Sequence, residues 1–393
     1  MPANTNVRPA PPRPSVPHLG IGLLGYGFMG KTHSNAYRTI PYIFWPPSAE
    51  VDLVAVCGRR EGLVAEAAAR YGYREYYTDW RDLVSDDRIQ VIDNVGPPEL
   101  HAEPTIAAVR AGKHAICEKP LAMNAAEAKR MWEAAEEANV KHMCGFNYRF
   151  VPAVRLAREV IQRGLLGRIY HFRARYLQES AHTPGVAWPL GMGQAGALLI
   201  LGCHILDVGR FLVGEVARVQ AQMTTFSRQR AHPTEPGRTV EIVADEAVQS
   251  LLEFEGGATG SIEAAFTCTG RKNQQTWEVN GEQGSLWFDL EDLNRLHVHL
   301  DGDTGDVADL AGFRDVLVSE SHHPYYQVWW PHGHILGWEH AHINEIAHFL
   351  CAVATNQPVG PAGATFEDGY RAAAICDAVV ESARSGRQVA VSY

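Results

Sequence analysis

The sequence predicts two domains of different class: a doubly wound parallel α/β sheet, then an α+β domain with a large, mainly antiparallel, open-faced sheet. Three observations lead there. At 393 residues the chain exceeds the usual size of one domain. Up to residue 147, short apolar runs alternate with helical patterns, as in a right-handed βαβ series. From residue 148 to residue 393, runs rich in β-formers dominate and several are separated by glycine turns.

Residues 1–17 are rich in Pro and Arg with few large apolar side chains, which predicts a disordered lead-in. His18 to Leu24 then reads as a buried parallel strand that ends in glycines. A helix follows from Met29 to Thr39, a strand from Val51 to Cys57, and an Ala-rich helix from Gly62 to Tyr71. Tyr76-Tyr77 leads into a short helix at Trp80 to Val84, followed by a strand at Val91 to Val95. A helix at Pro104 to Ala111 is closed by Gly112, and a fifth strand ends at Cys117. Asn124 caps a helix to Asn139, with Glu127 where a capping-box acid belongs. Lys141 to Phe146 completes the first sheet. Past a helix at Val151 to Arg163, strands are expected at 169–177, 216–225, 246–255, 259–267, 276–280 and 285–288. Helices at Cys203 to Leu212 and Glu367 to Ser385 interrupt and close this half.

Gly25-Tyr26-Gly27-Phe28-Met29-Gly30 fits G-x-G-x-x-G, a weak signal alone. Here it follows a strand, opens a helix and begins a βαβ unit, the context of a Rossmann dinucleotide site. Its glycines let the backbone turn tightly and approach a pyrophosphate at the helix N-terminus. At the end of the second strand stands Cys57-Gly58-Arg59-Arg60 rather than an acid. A small residue followed by two guanidinium groups suits a 2′-phosphate, so the cofactor is read as NAD(P), leaning to NADP. Lys119 of Glu118-Lys119-Pro120 sits at the carboxyl end of the fifth strand, beside the expected crevice. An ammonium there can donate to a substrate hydroxyl and stabilise a developing alkoxide.

A net charge of -10 argues against nucleic acid as a partner. No apolar run reaches the roughly 20 residues that span a bilayer. Seven scattered cysteines without a Cys-x-x-Cys pair read as reduced thiols in a cytoplasmic protein. The His- and Trp-rich stretch from His322 to His348 lacks helical metal-ligand spacing and is read as a pocket-mouth loop or an oligomer contact, with no metal assigned. The exposed face of an antiparallel sheet needs covering, which predicts a homodimer or homotetramer.

The glycine loop, Glu118-Lys119-Pro120 and Gly202-Cys203-His204-Ile205-Leu206-Asp207 together resemble the Gfo/Idh/MocA oxidoreductases, which include glucose–fructose oxidoreductase and inositol dehydrogenase. The resemblance extends through Lys31-Thr32-His33-Ser34, Phe146-Asn147-Tyr148-Arg149 and Phe366-Glu367-Asp368-Gly369. Tyr176-Leu177-Gln178, Trp188, His323-Pro324-Tyr325 and Trp330-Pro331 point, within the family, toward an anhydrosugar dehydrogenase. It implies hydride transfer between the nicotinamide and a hydroxyl-bearing carbon of a sugar, anhydrosugar, glycoside or cyclitol. Lys119 and His204 would act on that hydroxyl, with Tyr148, Arg149, Gln178 and Trp188 contacting the substrate. Phe28, Met29, Pro97, His101, Glu118 and Lys119 would join the glycines and arginines around the cofactor. Asp207, three residues after His204, would orient its imidazole or tie the helix to its neighbours. One departure is clear: the family commonly has Asp four residues before this His, and here Ile200 stands there. Two other functions remain compatible: a redox-assisted glycosidase or lyase that keeps its cofactor, and a non-catalytic NAD(P)-responsive regulator.

Overall fold

The computed structural model describes residues 15–179, 195–231, 235, 237–302 and 308–393. Nearly all of the N-terminal lead-in, and Trp188, lie outside them. The first sheet is parallel and six-stranded, in the order β3-β2-β1-β4-β5-β6. It comprises β1 (His18–Leu24), β2 (Glu50–Cys57), β3 (Glu75–Tyr77), β4 (Val91–Asn94), β5 (His114–Glu118) and β6 (His142–Gly145). The order reverses beside β1, between β1–β2 and β4, and such a switch point opens a crevice at the carboxyl ends of the strands. The connecting helices are α1 (Phe28–Ile43), α2 (Glu61–Tyr71), α3 (Trp80–Ser85), α4 (Ala102–Arg110) and α5 (Ala125–Glu137). Asn124 caps α5 by accepting from the Glu127 N–H at 2.9 Å, as its position before the helix predicts. α1 runs past Thr39, where the sequence pattern ends, because Pro41 falls in its last turn and interrupts little of its ladder.

The second sheet has nine strands in the order β16-β15-β14-β13-β7-β12-β11-β8-β17. In chain order, α6 (Pro152–Gln162) and β7 (Ile169–Leu177) lead to α7 (Cys203–Leu212) and β8 (Val216–Thr224). A small pair, β9 (Gln229–Ala231) and β10 (Thr239–Glu241), stands apart from the sheet. There follow β11 (Ala247–Phe254), β12 (Thr259–Ala265), β13 (Gln274–Gly281), β14 (Gly284–Asp289), β15 (Arg295–Leu300) and β16 (Arg314–Leu317). The chain closes with α8 (Glu339–Thr355), α9 (Phe366–Ser385) and β17 (Val389–Ala390). Pairing is antiparallel except between β7 and β12, which run parallel because α7, β8 and β11 intervene in sequence.

Alternation along these strands sets the two faces. Phe172, Ala174 and Tyr176 of β7, with Trp277, Val279, Leu286 and Phe288, point toward α6, α7 and α9 in one core. Arg173, Arg175, Leu251, Glu263 and Trp287 project from the other face, which no described element covers. Two helices carry the chain back to the parallel sheet: α9 lies between β8 and α5, and α8 packs on α1. The sequence reading missed α8 and the last two strands at one end of the sheet, β15 and the edge strand β16. The α8 signal was present, since Ile343, Ile346, Ala347 and Leu350 repeat at helical spacing and Asn356 ends the helix with φ 54°.

Candidate active site

The glycine loop is shaped by close approach. Gly25 has φ +105°, and a Cβ there would lie 2.8 Å from the Val95 carbonyl oxygen. A Cβ at Gly30 would sit 2.6 Å from the Gly25 oxygen, which holds α1 tight against β1. Around Gly27, by contrast, a Cβ would meet nothing within 4 Å, leaving an open cradle at the N-terminus of α1. No acidic side chain occupies the first turn of α1. The unsatisfied N–H groups and the helix dipole therefore suit a pyrophosphate, and these residues fit a dinucleotide. At the end of β2, the Tyr26 ring covers Gly58 so closely that a Cβ would come 2.1 Å from it. Arg59 and Arg60 are exposed at the start of α2 and form no ion pair among the described residues.

Across the crevice, half-buried Lys119 donates from Nζ to the Ile200 carbonyl oxygen at 3.2 Å. That carbonyl belongs to a π-helical turn, Leu198–Gly202, which runs directly into α7 and carries His204 one turn later. Backbone at position 200 thus anchors the lysine on the turn where the resemblance leads one to expect a carboxylate. His204 is 5% exposed, and its Nδ1 has no hydrogen-bond partner among the described residues. Burial first, then the Lys119 and His342 charges, holds its pKa well below 6.5, so the ring is neutral near pH 7. Aromatic rings enclose it: Tyr148 at 4.7 Å between centroids, Tyr176 at 5.9 Å and Phe146 at 6.0 Å. The Tyr148 and Tyr176 hydroxyls are 2.9 Å apart, and Tyr176 donates to Asn273 Oδ1 at 2.8 Å. Half-buried Gln178 shares that acceptor through Nε2 at 2.7 Å.

Two expected roles change in the folded chain, those of Arg149 and His101, and of the two roles open to Asp207 the tie between neighbours holds. Arg149 is 3% exposed, and its guanidinium is committed to Asp207, at 2.8 and 2.5 Å, and to Asp368 at 3.1 Å. It is an internal tie between α7 and the start of α9 rather than a group presented to a sugar. Asp207 correspondingly serves Arg149 and does not orient His204. His101 is buried with Nδ1 2.7 Å from the Pro120 oxygen and Nε2 2.9 Å from the Gly96 oxygen. It braces the turn at Pro97 against the Lys119-Pro120 turn, so any influence on a cofactor passes through that backbone.

The structure also gathers groups that sequence reasoning left apart. Phe28 of the glycine loop stacks on Trp338, with ring centroids 5.3 Å apart. One turn into α8, His342 meets the Trp338 ring at 4.5 Å and the His33 ring at 5.7 Å. His33 donates through Nδ1 to Asp93 at 2.9 Å, and its Nε2 is 3.3 Å from Glu118 Oε1. Glu118 Oε2 in turn accepts the Lys119 N–H at 3.1 Å, so this buried string ends at the lysine.

Comparison with known proteins agrees with this geometry. Residues 19–146 match the oxidoreductase family with an NAD-binding Rossmann fold, and residues 154–287 match the GFO/IDH/MocA C-terminal domain. Levoglucosan dehydrogenase of Pseudarthrobacter phenanthrenivorans is 39% identical over 93% of this chain and 96% of its own length. Inositol 2-dehydrogenase of Rhizobium meliloti is 25% identical over 95% of this chain and 99% of its own. A solved levoglucosan dehydrogenase in complex with NADH and levoglucosan superposes with a TM-score of 0.90 at 39% identity, covering 95% of this chain and 99% of that one. With both halves matched and a relative this similar along nearly its whole length, the chain belongs to the Gfo/Idh/MocA family of NAD-binding oxidoreductases.

Proposed function

We propose that the protein is an NAD(P)-dependent dehydrogenase that oxidises a secondary hydroxyl of a sugar, anhydrosugar, glycoside or cyclitol. One observation carries the reading: Lys119, anchored on the Ile200 carbonyl, faces neutral His204 beside the glycine-loop crevice. When bound, the nicotinamide supplies the hydride acceptor. The Lys119 ammonium donates to the substrate oxygen and stabilises negative charge as the C–H bond weakens. His204, uncharged, takes the hydroxyl proton. Tyr148, Tyr176 and Trp338 wall the site with aromatic faces that suit the CH surfaces of a sugar ring, while Gln178 offers a polar edge. A relative solved with levoglucosan supports an anhydrosugar or a sugar of similar size.

Exposed Arg59 and Arg60, with no acid closing β2, favour NADP through pairing with its 2′-phosphate. A relative solved with NADH keeps NAD as the competing cofactor. The open sheet face carries both signs, Arg173 and Arg175 beside Glu263 and Glu278, and exposes Leu251 and Trp287. A second copy related by a two-fold axis would pair those charges and cover that face. A monomer by light scattering at micromolar concentration would defeat this assignment. The division at residue 147, between a cofactor half and a substrate half, belongs to the same proposal. Seven free cysteines support a reducing, cytoplasmic setting, and no helix among the described residues is long and apolar enough to cross a membrane.

The test is nicotinamide absorbance with a panel of sugars, anhydrosugars, glycosides and cyclitols, run with NAD and with NADP. Cofactor reduction by a preferred member is the expected result. Silence across the panel with the dinucleotide still tightly bound would transfer the assignment to cofactor-retaining glycoside cleavage or to regulation.

A further inference from the structure

We propose that His33, Glu118 and His342 form a buried site for one divalent transition-metal ion of the zinc class. Each offers one donor atom, and the three atoms lie within 4.8 Å of one another. They come from α1, β5 and α8, three elements that nothing in the chain order brings together. His33 Nε2 and Glu118 Oε1 stand 3.3 Å apart, close to the ~3.4 Å edge expected of a tetrahedron of donors about 2.1 Å from zinc. Two imidazoles and one carboxylate form a donor set that zinc accepts readily.

The unpaired atoms carry the argument. His33 is 0% exposed, Glu118 4% and His342 2%. Among the described residues, His33 Nε2, Glu118 Oε1 and both His342 nitrogens make no hydrogen bond. Each buried polar atom left this way has lost its hydration without a compensating bond. An ion pair between His33 and Glu118 would account for two of those atoms and leave His342 unexplained. A shared cation accounts for the donor atoms of all three residues. The same atoms are closed off from solvent, so an enclosed ion fits them where a sugar would not reach.

One outer group is arranged as a metal-bound histidine requires. Asp93 accepts from His33 Nδ1 and is itself held by the Tyr37 hydroxyl at 2.9 Å, leaving Nε2 to face inward. That carboxylate fixes the His33 tautomer and raises its basicity as a ligand. Glu345 stands 3.8 Å from His342 Nδ1, beyond hydrogen-bond reach. The Asp93 and Glu118 carboxylates beside these donors would offset the charge of a bound divalent ion. Such an ion would clamp α8 to α1 and fix the end of β5 that carries Lys119.

This inference does not rest on the dehydrogenase reading, and its test does not require turnover. Metal is measured in the purified full-length protein. The protein is then stripped with a chelator and titrated with Co2+, followed by Zn2+ competition. One equivalent of Co2+ with intense visible d–d bands, displaced by Zn2+ and accompanied by a higher melting temperature, is the expected result. His342→Phe should abolish the bands. Asp93→Asn should weaken binding about 10- to 100-fold. Replacing exposed His332 and His334 with Ala should change nothing. Folded wild-type protein that takes up no stoichiometric metal, as it would if a buried water filled the site, overturns the proposal whatever the variants do. So does folded His342→Phe protein that binds as well as wild type. A silent sugar panel leaves these readouts untouched.

Discussion

Two buried polar clusters flank the His204 pocket, and they are built in opposite ways. In the first, Arg149 and Arg210 face Asp207, Asp368 and Glu215, and each guanidinium meets at least two carboxylates. In the second, one nitrogen of His33, one oxygen of Glu118, both nitrogens of His342 and both oxygens of Glu345 make no hydrogen bond among the described residues. A closed cluster needs nothing further and acts as a tie between helices. An open one at the same depth points to a missing partner. Residue type alone does not separate the two, since an arginine beside a sugar pocket looked like a ligand contact until its partners were known.

The comparison can be broken at several points. The largest effect is expected in the pocket between the clusters. Lys119→Ala should lower kcat about 100- to 10,000-fold while dinucleotide affinity, read by fluorescence, stays within a few-fold. Near-full turnover would remove Lys119 from the mechanism.

Next comes the closed cluster. Arg149→Ala leaves Asp207 and Asp368 buried without their main counter-charge. It should cost about 3–5 kcal/mol of stability by denaturant unfolding, where a sugar-contact residue would cost little. A stable variant with a raised KM would return Arg149 to the substrate site.

Arg59→Ala is a smaller change at the cradle rim. It should cost NADP binding about 1.5–3 kcal/mol and NAD binding little. Equal losses would reject a phosphate role.

The smallest effect is a pH profile. His204 has a lowered pKa, so the folded chain keeps the ring neutral below the ordinary value of 6.5. Oxidation should therefore stay level as pH falls through 6.5 and decline only at lower pH. Over the same window the unfolded chain takes up a proton that the folded chain refuses, so the His204 contribution to stability, full above 6.5, shrinks as pH falls. An activity limb centred on 6.5 that disappears in His204→Asn would show a ring more hydrated than its burial implies.

Much of the parallel sheet was legible because each signal is local. Strand runs, the Asn124 cap and the glycine loop depend on residues within one turn of each other, as does Lys119 at the end of β5. The C-terminal sheet was legible as alternation, but β15 and β16 lie at one end of it, where weak patterning is offset by pairing with strands already in place. α8 was obscured by its histidines, which drew attention to chemistry and away from the apolar spacing beneath them.

By itself the sequence determined the class of both halves and offered a dinucleotide cradle, because periodicity and steric limits on glycine act over short range; the pairing of a strand-end lysine with a helix histidine came only as an implication of the family resemblance. Only the tertiary structure decided which polar residues are already satisfied. Arg149 meets Asp207 and Asp368 from 58 and 219 residues away, while His342 reaches His33 and Glu118 only because α8 folds back onto α1. Whether a buried charge has a partner is a property of three-dimensional neighbours, and in an interior that excludes water it decides whether a residue is a brace or a site.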